Sequence, residues 1–98
     1  MISFLEPARN ELAESIAFYE QRQSGLGTEF GQEVKRTVQR IADAPMRWPK
    51  LSTNTRRCRT QRFPYGVIYQ VADNGDILIV AVMHLHRRPE YWQDRLPP

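Results

Sequence analysis

A single cysteine, Cys58, among 98 residues excludes an internal disulfide framework and a cysteine-rich zinc site. No apolar run reaches the roughly 18 residues that a membrane helix needs. The first residues meet Glu6 and Glu11 too early for the apolar core of a secretory leader, so a soluble cytoplasmic protein is expected. Glycine is sparse, and Gly25, Gly27 and Gly31 lie at a helix entry rather than between a strand and a helix in the order G-x-G-x-x-G. That excludes a dinucleotide-binding loop, and no cofactor is expected. The two histidines, His84 and His86, form a His-x-His pair with no third ligand at suitable spacing, so no metal site is expected either.

Acidic residues are missing from one long stretch. Between Asp43 and Asp73 there is none, whereas Arg47, Lys50, Arg56, Arg57, Arg59 and Arg62 all fall there. The net charge of +3 therefore hides two unlike halves: residues 1 to 45 carry seven acids and five bases, and 46 to 98 carry four acids and nine bases. A cluster of like charges repels itself, so it needs either a solvent-screened face or an anionic partner. A charged strand edge that discourages aggregation and a surface for nucleic acid or an acidic protein segment both satisfy this.

What is present suits one small domain, residues 1–98, at 41% hydrophobic content. "MISFL" is a short first strand ended by Glu6-Pro7, where a proline in the first helical turn costs nothing because its missing N–H had no intrahelical partner. From Pro7 to about Gln23, Leu12, Ile16 and Tyr19 recur at helical spacing, with Ala8, Ala13 and Ala17 filling beside them. "SGLG" breaks that pattern, and Leu26, Phe30, Val34, Val38 and Ile41 mark a second stripe that stops before Pro45. These predict an antiparallel helical hairpin. "MRWPKLSTNT" is polar, contains a proline, and reads as a mobile crossing to the sheet. "RRCRTQRF", "YGVIYQVAD" and "DILIVAVMHL" follow as three strands rich in Val, Ile, Tyr and Thr. Asn74-Gly75 predicts a type I′ turn between the last two. The near-continuous apolar run Ile77 to Met83 predicts a central strand, or one covered on both faces. The class is α+β: β-α-α-β-β-β, with the hairpin packed on one face of a mostly antiparallel four-stranded sheet.

The chain closes on "HLHRRPEYW", residues 84 to 92. Strand alternation puts His84 on one face with Leu78, Val80 and Val82. His84 has an ordinary pKa near neutrality, so it suits a general acid or base, and it suits equally a strand end making one fixed hydrogen bond. Arg87 and Arg88 can grip phosphate or carboxylate bidentately, or end the strand in solvent. Pro89 and Glu90 favour a closing helical turn. Tyr91 and Trp92 can stack on bases or fold back to close the core. Trp48 lies in a loop, where it can meet a partner or cover the sheet edge. The period-two rule separates Arg57 and Arg59 from Arg56 and Arg62.

Taken in order, the helical hairpin "ARNELAESIAFYEQRQSGLGTEF", the strand "RFPYGVIYQV" and the ending "HLHRRPEYW" resemble the RelE/ParE superfamily of bacterial type II toxin-antitoxin systems. Gly-Leu-Gly-x-x-Phe at 25 to 30, Phe-Pro-Tyr at 63 to 65, and His84 followed by Arg87, Arg88, Pro89, Tyr91 and Trp92 resemble its ParE-like branch. The resemblance implies a growth-inhibiting toxin silenced by a cognate antitoxin, in a toxin-antitoxin hetero-oligomer. ParE-like members poison DNA gyrase; RelE-like members cleave messenger RNA on the ribosome. The RelE-like branch commonly places an arginine just after the tyrosine that opens the third strand, and here Gly66 follows Tyr65, which removes one cation expected at a scissile phosphate. The favoured expectation is thus a gyrase-binding toxin, with an mRNA endoribonuclease and a non-toxic antitoxin-binding member as alternatives. On this reading Arg57, Arg59, Arg62, Arg87, Arg88 and Trp92 would meet the target. Trp48, Leu26 and Phe30 would meet an acidic antitoxin helix or extended segment. His84, Tyr91 and Arg87 are the residues a catalytic alternative would use.

Overall fold

The computed structural model describes residues 1–96 and has the order β1 (Ile2–Phe4), α1 (Glu6–Arg22), α2 (Leu26–Asp43), β2 (Arg56–Arg59), β3 (Tyr65–Val71) and β4 (Ile77–His84), with a 3-10 turn at Gln93–Arg95. The strands lie β1-β4-β3-β2 across one sheet. β1 runs parallel to β4, and the other two pairings are antiparallel. β4 is therefore central, and this accounts for its apolar sequence: Ile79 and Val82 join the core beneath the helices, while Val80, Ala81 and Met83 join a second cluster with Ile68 and Trp92 on the opposite face.

The helical hairpin closes through two glycines with different duties. Gly25 has φ of 87°, a conformation that L side chains rarely adopt, and it caps α2 from the left-handed region. Gly27 sits against α1 so closely that a Cβ there would lie 2.5 Å from the Ile16 carbonyl oxygen. α2 has no capping side chain of its own; the Glu20 carboxylate of α1 instead accepts from the N–H groups of Gly25 at 2.9 Å and Gly27 at 3.0 Å. Phe30, Val34 and Ile41 line the buried stripe of α2. On α1 only Ala8 is fully buried; Leu12, Ile16 and Tyr19 are half-buried, and Ala13 and Ala17 face solvent instead of filling the interface.

Two local expectations are corrected. Gly75 has φ of 92°, but among the described residues no non-glycine has positive φ, so Asn74 cannot occupy the first position of a type I′ turn. Ala72 N–H donates to Asp76 O and Gly75 N–H to Ala72 O, which makes a three-residue loop, a type I turn followed by a left-handed glycine. In β4 the pairing jumps from Ile68–Ala81 to Tyr69–Ile79, leaving Val80 as the extra residue of a bulge. The bulge resets the alternation, so His84 shares the helix-facing side with Val82 but not with Leu78 or Val80. The crossing segment is pinned where Arg56 donates to the carbonyls of Met46 and Trp48 at 3.1 and 2.7 Å, and Tyr69 Oη donates to Pro45 O.

Candidate functional site

β1 is short, so beyond Ile79 the outer edge of β4 has no neighbouring strand. Unpaired backbone groups there must find partners, because a buried orphan loses a hydrogen bond it would have made in water. Side chains supply them. Glu11 of α1 accepts from Val82 N–H at 3.0 Å, and Arg95 donates to Val80 O at 3.0 Å. The two also pair with each other, at 2.8 and 2.9 Å, in the bidentate fork that suits guanidinium and carboxylate. Tyr91 Oη donates to the same carboxylate. This network docks the C-terminal segment, and Trp92, 2% exposed, plugs the second core. Burial, then the neighbouring Glu11, pushes the Tyr91 phenol well above its ordinary range. The Glu11 hydrogen bond holds Arg95 more firmly protonated.

Beside this network lies a groove of about 290 Å³ between α1 and the end of β4, lined by Glu14, Phe18, Tyr65, His84 and Arg87 among others. His84 stands edge-on to Tyr65, its strand partner, with ring centres 5.1 Å apart. Its Nδ1 accepts from His86 N–H at 3.1 Å as the chain turns out of the strand. Arg87 lies 3.9 Å from the centre of the Tyr91 ring and 3.9 Å from Glu11, so its charge is directed into the network. Phe18 is 48% exposed at the rim.

The β2 arginines occupy the opposite side. Cys58 points into the core under the helices, so Arg57 and Arg59 project from the other face. Arg57 lays its aliphatic stem over Gly66: a Cβ there would meet Arg57 Cδ at 2.9 Å. Around the β2 edge a cleft of about 370 Å³ is lined by Arg40, Trp48, Pro49, Arg57 and Arg59. Arg40 and Arg47 lie 5.5 and 5.2 Å from the Trp48 ring centre.

The arginines picked out in the sequence thus do not converge on one surface. Arg57 and Arg59 share the β2 cleft. Arg62 is tied to Glu29 of α2 at 2.8 Å, Arg87 belongs to the groove by α1, and Arg88 is exposed. Trp92 cannot offer a contact surface to a target while it fills the second core, so packing accounts for it. Phe30 is 0% exposed and forms core rather than an antitoxin contact; Leu26 and Trp48 are half-buried and keep accessible edges. Sequence reasoning missed Glu11, Arg95 and Arg40. Helical spacing places Glu11 beside the apolar stripe of α1, one turn after Ala8, but nothing local identifies Arg95 as its partner.

Residues 2–89 match the family model described as "ParE toxin of type II toxin-antitoxin system, parDE". No curated protein matches the chain in sequence. Among solved structures, the chromosomal ParDE toxin-antitoxin system from P. aeruginosa superposes with a TM-score of 0.73 at 14% identity, covering 87% of this chain and 95% of that one. The isolated E. coli RelE toxin superposes with a TM-score of 0.66 at 16% identity, covering 97% and 94%.

Proposed function

Because the chain belongs to the ParE toxin family of type II toxin-antitoxin systems, we propose that it inhibits growth by binding a macromolecular target, DNA gyrase, rather than by cutting RNA, and that a cognate antitoxin neutralises it. One observation carries the choice of binding over cleavage. RNA cleavage by the 2′-hydroxyl needs a proton acceptor, a proton donor and cations gathered at one phosphate. Here His84 faces the helices while Arg57 and Arg59 project from the other side of the sheet. The Tyr91 hydroxyl is spent on Glu11, and its raised pKa keeps it protonated, so it cannot take up a proton. Position 66 has no side chain, and Arg57 covers it. Arg57, Arg59 and Arg88, which make no ion pair among the described residues, suit recognition of an anionic or acidic surface, in which charge chiefly speeds encounter and confers salt dependence.

Expression of the chain without an antitoxin, with DNA breaks and messenger RNA followed in parallel, tests this. Gyrase-dependent breaks with intact messenger RNA are expected. Gly66→Arg should confer no RNA cleavage, because the added cation would still lie across the sheet from His84. Prompt codon-periodic cleavage with intact DNA would overturn the proposal.

A further inference from the structure

The cleft at the β2 edge is built almost wholly from hydrogen-bond donors. Its polar side chains are the guanidinium groups of Arg40, Arg57 and Arg59 and the indole of Trp48, and no carboxylate lines it. Among the described residues, none of these three arginines has a carboxylate within ion-pair distance, whereas Arg36, Arg62, Arg87 and Arg95 each have one. Arg40 spends Nη2 on Thr37 Oγ1 at 3.1 Å and Arg59 O at 3.0 Å, which fixes it at the rim with charge uncompensated. Three like charges around one cavity, none of them paired with a carboxylate among the described residues, call for a ligand that carries negative charge and accepts hydrogen bonds.

We propose that this cleft binds an acidic side chain of the antitoxin, its carboxylate among Arg40, Arg57 and Arg59 and its methylenes against Trp48 and Pro49. The inference rests on the reading above that an antitoxin exists, and it implies that the antitoxin covers the same arginines that the target would use. A nucleic-acid strand fits less well. A base stacking on Trp48 would have to displace Arg40 or Arg47 from the ring. A strand also needs a continuous row of cations, but Arg62, just beyond the end of β2, already faces Glu29.

The test uses oligo-glutamate as the probe and an oligothymidylate of equal length as its counterpart, each titrated into the full chain and followed by calorimetry and tryptophan fluorescence. Oligo-glutamate should saturate. Its fluorescence change should vanish in Trp48→Phe, which leaves Trp92 as the remaining emitter. The doubly substituted Arg57→Gln, Arg59→Gln chain should bind at least tenfold more weakly, roughly the effect of losing one charge-assisted contact, with an unchanged melting curve. Lys35→Gln, which removes one charge from an exposed position on α2, should bind as the parent does. Saturation by oligothymidylate alone would make the cleft a nucleic-acid site and overturn the proposal. Equal weakening by Lys35→Gln would reduce the binding to general electrostatics, and no saturation by either probe would leave no site. Growth arrest on expression without oligo-glutamate binding would retire the cleft alone; binding without arrest would retire the toxin reading alone.

Discussion

Replacing Glu11 with alanine removes the acceptor that holds the C-terminal segment to the open edge of β4. Three groups lose their partner at once: Val82 N–H at 3.0 Å, the Arg95 fork at 2.8 and 2.9 Å, and the Tyr91 hydroxyl. Hydrogen bonds to a charged group contribute roughly 1.5–3 kcal/mol each when considered singly, and stripping one partner from a fully buried ion pair costs about 3–5 kcal/mol. Glu11 and Arg95 are 12% and 18% exposed, so water can partly replace the carboxylate. The expected loss is therefore about 2–3 kcal/mol, which for a domain of this size lowers the melting midpoint by roughly 8–24 °C. Glu11→Gln keeps an acceptor for Val82 and should lose roughly half as much. A double-mutant cycle with Arg95→Ala should show coupling above about 1 kcal/mol. Trp92 emission should shift to the red in native Glu11→Ala as the segment loosens. Urea or thermal unfolding within about 0.5 kcal/mol of the parent, the range of an ordinary surface substitution, would refute the claim that side chains take the place of a strand at this edge.

Gly27→Ala should destabilise the chain by about 1–3 kcal/mol, because its Cβ must push the Ile16 carbonyl and Glu20 apart. Gly25→Ala meets no atom within 4 Å and should cost only its backbone conformation, about 1 kcal/mol; equal losses in denaturant unfolding would contradict the close-approach argument. Alkaline pH should also weaken the fold. Burial raises Tyr69 to about 12, and burial with Glu11 raises Tyr91, so above pH about 10 the unfolded chain releases its phenolic protons first. Stability should therefore fall as pH rises beyond that point, and less steeply in Tyr69→Phe; a urea midpoint unchanged between about pH 9 and 11 would refute it.

The legible parts of this protein were those decided by neighbours in the chain. Helical spacing of Phe30, Val34 and Ile41, the break at "SGLG" and the unbroken apolar run of β4 depend on local periodicity and backbone preference, and all three reappear in the fold. The Asn74-Gly75 hairpin was legible in place but not in kind. The turn type depends on where the strands stop pairing, and Ala72–Asp76 closes the loop one residue earlier than a two-residue turn would.

The candidate site was harder to read because its residues are distant in sequence. Glu11 and Arg95 meet across 84 positions, and their encounter depends on the length of β1, which leaves the edge of β4 unpaired. The bulge at Val80 reverses which face His84 occupies, and no composition or spacing signals it, because a strand apolar at every position carries no alternation to interrupt. Six bases without an acid were visible as a charge imbalance, but only packing separated Arg57 and Arg59 from Arg62 and Arg87. By itself the sequence determined the element order, the buried stripes and the sign of the surface, since these follow from local preference and charge. Tertiary structure alone decided which charges are neutralised, which edge is plugged and on which side of the sheet the histidine stands, since those depend on register between strands far apart in the chain.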